Sequence, residues 1–260
     1  MNFSSLDKLN SQVIHSQEIN GTRLEVRDAE NYRWFNFGGS IIQSLMNKNQ
    51  TEQVIMPVCQ AMLMFLLWQD SPKSILNLGT GGATFERFFS KNQNVDITSV
   101  DNSAEVIDIA KRYFYLPNQV TTHCQQAEEY LTGCTQRFDV ILCDIFSEQK
   151  NVFCINQISF YQRLSHSVSE DGIVSINLDP ENEANLITIL HAAGRYFSNI
   201  ALIEFNDFKN IVMLLSFSQI PYMECLLKRN HMLKTAVGID FSIFISSMHL
   251  LPPQQLTDLK

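Results

Sequence analysis

Between residues 74 and 217 the chain alternates two kinds of segment, and that alternation limits its fold more than any other feature. Short runs rich in β-branched residues occur at 74–78, 96–100, 120–124, 138–143, 173–178, 200–205 and 211–217. Segments of helical character fill the gaps between the first six, at 85–91, 104–114, 127–131, 157–167 and 183–196. A strand, a helix and a second parallel strand connect by a right-handed crossover, so the pattern predicts a doubly wound α/β domain on a mostly parallel sheet. Residues 206–210 leave room only for a hairpin between the last two runs, which predicts an antiparallel edge.

Upstream, the runs 13–16, 23–27 and 32–37 are separated by the turn-formers Asn20-Gly21 and Glu30-Asn31, and Gly38-Gly39 leads into 40–44. This predicts a small antiparallel appendage of three or four strands. The apolar stretch 54–68 is interrupted by Pro57 and Gln60 and is too short to span a bilayer. It reads as a helix buried on nearly all sides, with Pro57 near its first turn. A last helix at 222–235 precedes an apolar, Pro-containing tail. The organisation expected is a β domain over 1–50, a nucleoside-binding α/β domain over 51–235, and a tail over 236–260.

Leu76-Asn77-Leu78-Gly79-Thr80-Gly81-Gly82-Ala83 stands at the junction of the first parallel strand and its helix. Glycine there lets the backbone turn tightly and lets a ligand approach without meeting a Cβ, while the helix beyond offers unpaired N–H groups. Asp101 ends the next strand. An acid in that place can accept both hydroxyl hydrogens of a ribose, although it can also cap the following helix in competition with Asn102 and Ser103. Turn and acid together point to a nucleoside site using Gly79, Thr80, Gly81, Gly82 and Asp101. A dinucleotide fingerprint would need glycine where Thr84 stands, and no Gly-Lys-Ser/Thr follows for a phosphate loop. A nucleoside with an amino-acid or aminopropyl tail fits better than a pyrophosphate.

Composition narrows the partners. A formal net charge of −8 offers nothing for a nucleic-acid backbone and suits a neutral or cationic small molecule. The opening residues MNFSSLDKLN lack the pattern of an export signal, and no membrane span is apparent. The six cysteines form no C-x-x-C pair and the six histidines no metal spacing, so no metal site is expected, and the cysteines read as buried free thiols in a reducing cytoplasm.

Residues 77–82 (NLGTGG), 99–101 (SVD), 105–114 (EVIDIAKRYF) and 138–144 (FDVILCD) together resemble the spermidine synthase family of polyamine aminopropyltransferases, and 37–46 (FGGSIIQSLM) resembles the end of that family's N-terminal β domain. The resemblance runs in order from about residue 20 to 220. It implies a small β domain before a Rossmann-like domain, pairing into homodimers, and decarboxylated S-adenosylmethionine as co-substrate with no prosthetic group. It assigns the ribose hydroxyls to Asp101, the nucleoside pocket near its tail to Gln43, the adenine amino group to Gln126 (where an aspartate is usual), and proton acceptance from an amine to Asp144. Departures stand beside these matches. Gly82 replaces an aspartate that contacts the reacting tail, Ser147 replaces the second aspartate of a D-S-S-D-P loop, and Ile55-Met56-Pro57 replace a Tyr-His-Glu cluster, with Glu148 as a displaced acid. Each lost carboxylate partner costs a bound ammonium on the order of 2–5 kcal/mol, so diamine binding of the family's usual kind is expected to weaken. Two other readings stay open: methyl transfer from intact S-adenosylmethionine, and a non-catalytic nucleoside-binding or interaction protein.

Overall fold

The computed structural model describes residues 10–19, 21–37, 42–91, 94–147, 150–151 and 153–251. Four strands open the chain: β1 (Gln12–Ile19), β2 (Thr22–Asp28), β3 (Tyr32–Phe37) and β4 (Ile42–Asn47). They pair antiparallel in sequence order, so the appendage has four strands. Gly21 turns between β1 and β2 at φ +79°, a conformation that costs an L-residue energy. Asn20 and the Gly38-Gly39-Ser40-Ile41 step lie outside the described residues.

An eight-stranded sheet carries the rest. Its parallel part contains β5 (Ser74–Leu78), β6 (Asp96–Asp101), β7 (Thr121–Cys124), β8 (Phe138–Cys143) and β11 (Val168–Leu178). The short β9 (Phe146–Ser147) and β10 (Lys150–Asn151) pair with each other as a separate two-stranded unit. Connecting helices are α2 (Thr84–Phe89), α3 (Ala104–Tyr113), α4 (Ala127–Gly133), α5 (Ile158–Ser167) and α6 (Glu183–Gly194). The strands β12 (Asn199–Glu204) and β13 (Ile211–Ser216) form the expected hairpin, but it folds back so that β13, not β12, lies against β11. A last strand, β14 (Met248–Leu251), completes the sheet. The spatial order is β14-β12-β13-β11-β8-β5-β6-β7, parallel from β11 to β7 and antiparallel beyond.

Alternate strand residues feed two cores, one on each face. Ile75, Val140, Leu142, Ile173, Val212 and Leu214 belong to one, and Leu76, Leu78, Ile141, Val174, Ile176 and Leu215 to the other. Both faces are covered, as a parallel sheet requires. Helix α3 shows the local logic. Ser103 caps it, its Oγ accepting from the Val106 N–H at 3.2 Å, which is worth about 1 kcal/mol. Val106 and Ile109 from α3 then pack against Leu24, Val26, Phe35 and Met46 of the small sheet. Arg33 strengthens that joint by bonding Asp28 at 2.7 Å and the Tyr113 carbonyl at 2.9 Å.

Two expectations need correction. The apolar stretch is buried, but it is not one helix: α1 (Pro57–Met62) ends at Leu63 and a 3-10 turn, Met64–Leu67, continues. Packing against the sheet governs its path, because residues 61–67 are buried and their contacts outweigh the few hydrogen bonds that a continued helix would keep. The expected tail over 236–260 is also structured through residue 251. After α7 (Met223–Val237) come α8 (Ser242–Ser246) and then β14, which adds to β12 as the edge strand. Phe241, Phe244, Ile245 and Met248 are buried there, and their apolar side chains anchor the segment, while residues 252–260 lie outside the described residues.

Gly238 closes α7 in the left-handed region at φ +75°, and a Cβ added there would meet nothing within 4 Å. Gly238→Ala therefore changes backbone strain and no contact. Urea unfolding is expected to show a loss of about 1 kcal/mol with an unchanged m value.

Candidate functional site

Asp101 sits at the carboxyl end of β6, opposite the turn that follows β5. One oxygen of its carboxylate accepts from the Thr80 N–H at 3.0 Å and the Gly81 N–H at 3.4 Å, and the other from the Ser103 N–H at 3.0 Å. The helix cap is Ser103, so Asp101 holds the turn rather than capping α3. Burial pushes its carboxyl up from the ordinary value, and the backbone N–H donors pull against that shift. Three acceptor positions are used, which leaves lone-pair capacity for a ligand hydroxyl. Gly81, at φ +48°, opens onto free space, so a molecule approaching Asp101 meets backbone and no side chain there.

The turn is clamped from beneath as well. Thr80 is buried and its hydroxyl lies 2.8 Å from the Ser99 hydroxyl, which donates at 2.6 Å to Glu86 on α2. Asn77 on β5 donates to the same Glu86 oxygen at 2.7 Å and to the Gly79 carbonyl at 3.1 Å. Glu86 is fully buried and its second oxygen has no partner. Burial pushes its carboxyl up. Next to it, Arg87 is also buried and bonds the carbonyls of Thr51, Gly82 and Phe114. Burial draws its guanidinium down to about 10, which leaves it charged at neutral pH.

Gly79 and Gly82 are glycines for different reasons. At Gly79, φ is +97° and a Cβ would overlap the Asp144 carbonyl oxygen. The turn is thus pressed onto the end of β8, where the Asp144 N–H also donates to the Leu78 carbonyl at 2.8 Å. At Gly82 a Cβ would overlap the Ser44 Oγ and fall 3.3 Å from Phe114. Gly82 is buried beneath β4, and an aspartate there has no room while Ser44 keeps its place.

Asp144 follows β8 directly. Its Oδ1 accepts from the Asn177 Nδ2 at 2.8 Å, and Asn177 in turn accepts from the Asn210 Nδ2 at 3.0 Å. Burial pushes its carboxyl up and the Asn177 bond offsets part of that. Gln43 is the extra residue of a β-bulge, because Phe35 pairs with Ser44 and Asn36 with Ile42. It is half-buried, one residue from the Ser44 contact with the turn. Gln126 is exposed at the start of α4, near Asn102 after β6 at 3.4 Å. The structure therefore gathers Gly79, Thr80, Gly81, Asp101 and Asp144 at the carboxyl ends of β5, β6 and β8, with Gln126 beside Asn102, Gln43 next to Ser44, and Gly82 packed beneath Ser44.

Several participants were given no role by the sequence: Asn77 and Ser99 lie inside quoted motifs without one, and Asn177 and Glu86 belong to no motif. Asn77, Ser99 and Asn177 are polar residues inside apolar strands, and Glu86 is an acid between Phe85 and Phe89. Each is a visible irregularity, and polar residues near strand carboxyl ends are where a ligand crevice forms. The expectation of buried thiols holds for Cys59, Cys143 and Cys154, whereas Cys124 and Cys225 are exposed and Cys134 is partly so. Tyr161 is fully buried and donates to the Ile155 carbonyl at 2.8 Å, packed within the core. Glu148 lies outside the described residues. Among the described residues, no three His, Cys, Asp or Glu side chains gather as a metal site, and no helix is long and apolar enough to cross a membrane.

Comparison with known proteins agrees with this geometry. A profile of the spermine/spermidine synthase domain matches residues 56–205. A polyamine aminopropyltransferase from Chromobacterium violaceum is 27% identical over 239 residues, covering 86% of this chain and 88% of that protein. Among solved structures, a probable spermidine synthase from Corynebacterium glutamicum superposes with a TM-score of 0.76 at 15% identity, covering 95% of this chain and 93% of that one. A spermidine synthase in complex with the transition-state analogue AdoDATO gives 0.68 at 16% identity, with 95% and 87% covered.

Glu86 supplies a pH test of the clamp. Its folded carboxyl binds a proton more tightly than the unfolded one, whose ordinary value is 4.5. The stability this provides is complete below that value and declines as pH rises through the folded value. Glu86→Gln keeps an oxygen for Asn77 and Ser99 and does not titrate. Between pH 4 and 8, urea unfolding is expected to show a smaller loss of stability in the variant than in the wild type, and parallel curves would contradict the upward shift of the Glu86 carboxyl.

Proposed function

The chain belongs to the spermine/spermidine synthase family, and from that membership we propose that it transfers an aminopropyl group from a decarboxylated S-adenosylmethionine-type nucleoside to an amine. The observation that carries this reading is the placement of two acids on either side of one glycine turn. Asp101 binds the turn from β6, and Asp144 meets it from β8, against Gly79. A nucleoside whose ribose reaches Asp101 beside the open face of Gly81 would direct its tail along the sheet edge towards Asp144.

The chemistry asked of the protein is small. The sulfonium is already an activated leaving group, so alignment of the amine with the carbon–sulfur bond supplies most of the acceleration. An aliphatic amine is protonated at neutral pH and cannot attack. In the proposed step Asp144 accepts the proton from the ammonium nitrogen. The freed lone pair forms the new carbon–nitrogen bond, the carbon–sulfur pair stays on sulfur, and the nucleoside leaves as a neutral thioether.

The departures at Gly82 and Ser147 bear on the acceptor. The Gly82 position is closed by Ser44 and Phe114, so no carboxylate projects into the tail region from there. We assign the hold on the reacting ammonium chiefly to Asp144, with weaker selection for a second ammonium than the family's usual loop would provide. Gln43 and Gln126 belong to the same reading, as flanking contacts for the nucleoside tail and base. Homodimer formation, implied by the resemblance, and a cytoplasmic location, read from the cysteine pattern, are part of the proposal as well.

Two measurements test it. Methylthioadenosine at about 100 times its Kd is expected to stabilise the protein by about 2.7 kcal/mol, or roughly 5–10 °C in Tm, and more than S-adenosylhomocysteine does at the same concentration. The reverse order would favour methyl transfer, and no shift with either would refute nucleoside binding. Separately, Asp101→Ala is expected to abolish that shift, whereas Asp144→Ala retains it and lowers release of methylthioadenosine from decarboxylated S-adenosylmethionine at least 100-fold. Equal loss of binding in both variants would refute the division of roles.

A further inference from the structure

A file of side-chain amides runs behind Asp144 across three adjacent strands. Asn210, immediately before β13, donates to Asn177 on β11 at 3.0 Å, and Asn177 donates to Asp144 beyond β8 at 2.8 Å. Asn177 is only 6% exposed, between the fully buried Ile176 and Leu178. A buried amide without partners costs about 1–3 kcal/mol, so its place in that strand depends on both bonds. The direction of the file follows from the acid at its end. An ionised carboxylate only accepts, so Asn177 must present its Nδ2 to Asp144 and its Oδ1 to Asn210. Among the described residues, no donor bonds the second oxygen of Asp144.

Among the described residues, the polar side chain bonded to Asp144 is Asn177. Cys59 faces it from α1 and Cys143 precedes it on β8, and burial pushes both thiols up, which keeps them neutral. From the turn comes Gly79, which brings backbone alone. Arg87, the nearby buried cation, is engaged with the Thr51, Gly82 and Phe114 carbonyls.

We propose that Asn177, braced by Asn210, is a positioning residue that holds one oxygen of the Asp144 carboxylate and turns the other towards the incoming amine. The proposal rests on the reading of Asp144 as proton acceptor. An amide bond to the charged form favours that form and opposes the effect of burial. It also removes one rotational freedom from the acid, so the free oxygen meets the ammonium from a fixed side. Asn177 touches no substrate in this arrangement and acts through Asp144.

The test separates this claim from the reading beneath it. The Asp144 carboxyl is titrated by carbon-13 NMR in the ligand-free protein, assigned with Asp144→Asn, and compared with Asn177→Leu and Asn210→Ala. Asn177→Leu is expected to raise the proton affinity of Asp144 on the order of tenfold. The acid limb of the kcat profile with decarboxylated S-adenosylmethionine and 1,4-diaminobutane should move to higher pH, with the KM for the nucleoside unchanged. Asn210→Ala, at a half-buried position outside the strand, should move both readouts the same way by a smaller amount, and it carries the test alone if the leucine variant fails to fold. An active protein whose Asp144 titration is unmoved in a folded variant overturns the role of Asn177. A displaced titration in a wild type without turnover overturns the transfer reading instead.

Discussion

The turn after β5 is pinned where three strand ends meet, and the site's geometry depends on that contact. Asp101 takes the Thr80 and Gly81 N–H groups from one side, while the Asp144 backbone presses on Gly79 from the other, closely enough that no side chain fits between. Hydrogen bonds of this kind to a charged acceptor are stronger than neutral ones, and the glycine contact allows little sliding. The separation between Asp101 and Asp144, the acids proposed to hold the sugar and to accept the proton, is therefore set by backbone packing. Flexible side chains have little say in it.

Holding the turn has drawn polar groups into the core. Glu86, Asn77 and Ser99 are buried beneath the turn, and atoms of Glu86, Asn77 and Arg87 remain without partners. Unsatisfied buried groups of this kind cost stability, and proteins retain them where they fix a geometry. Arg87 extends the frame by tying the linker before α1, the turn and the end of α3 to one guanidinium. The small antiparallel sheet joins the same frame through Ser44, so the two sheets meet at the turn itself.

That meeting gives a physical reason for one departure from the family pattern. Where the resemblance expects an aspartate, the chain carries Gly82, and Ser44 from β4 fills the space a side chain would need. The replacement is not an isolated loss that one back-substitution would repair. It is matched by the strand above, whose Ser44 Oγ occupies the place of a Cβ at position 82.

Much of this was legible in the chain. Strand–helix alternation, with its periodicity of β-branched runs, determined the mostly parallel sheet and its covering helices, because burial on both faces leaves few other arrangements. The glycine turn and the acid one strand over are local in pattern, and Gly79, Thr80, Gly81 and Asp101 came together as their spacing implied. What tertiary structure alone decided depends on contacts between distant segments. The fold-back of β13 against β11, the capture of 236–251 as an edge helix and strand, the Ser44 plug over Gly82, and the Asn210–Asn177–Asp144 file each join residues tens of positions apart. A local pattern carries no information on which of many apolar or amide side chains will be neighbours. Only the packed chain, in which most buried polar groups find partners, makes that choice.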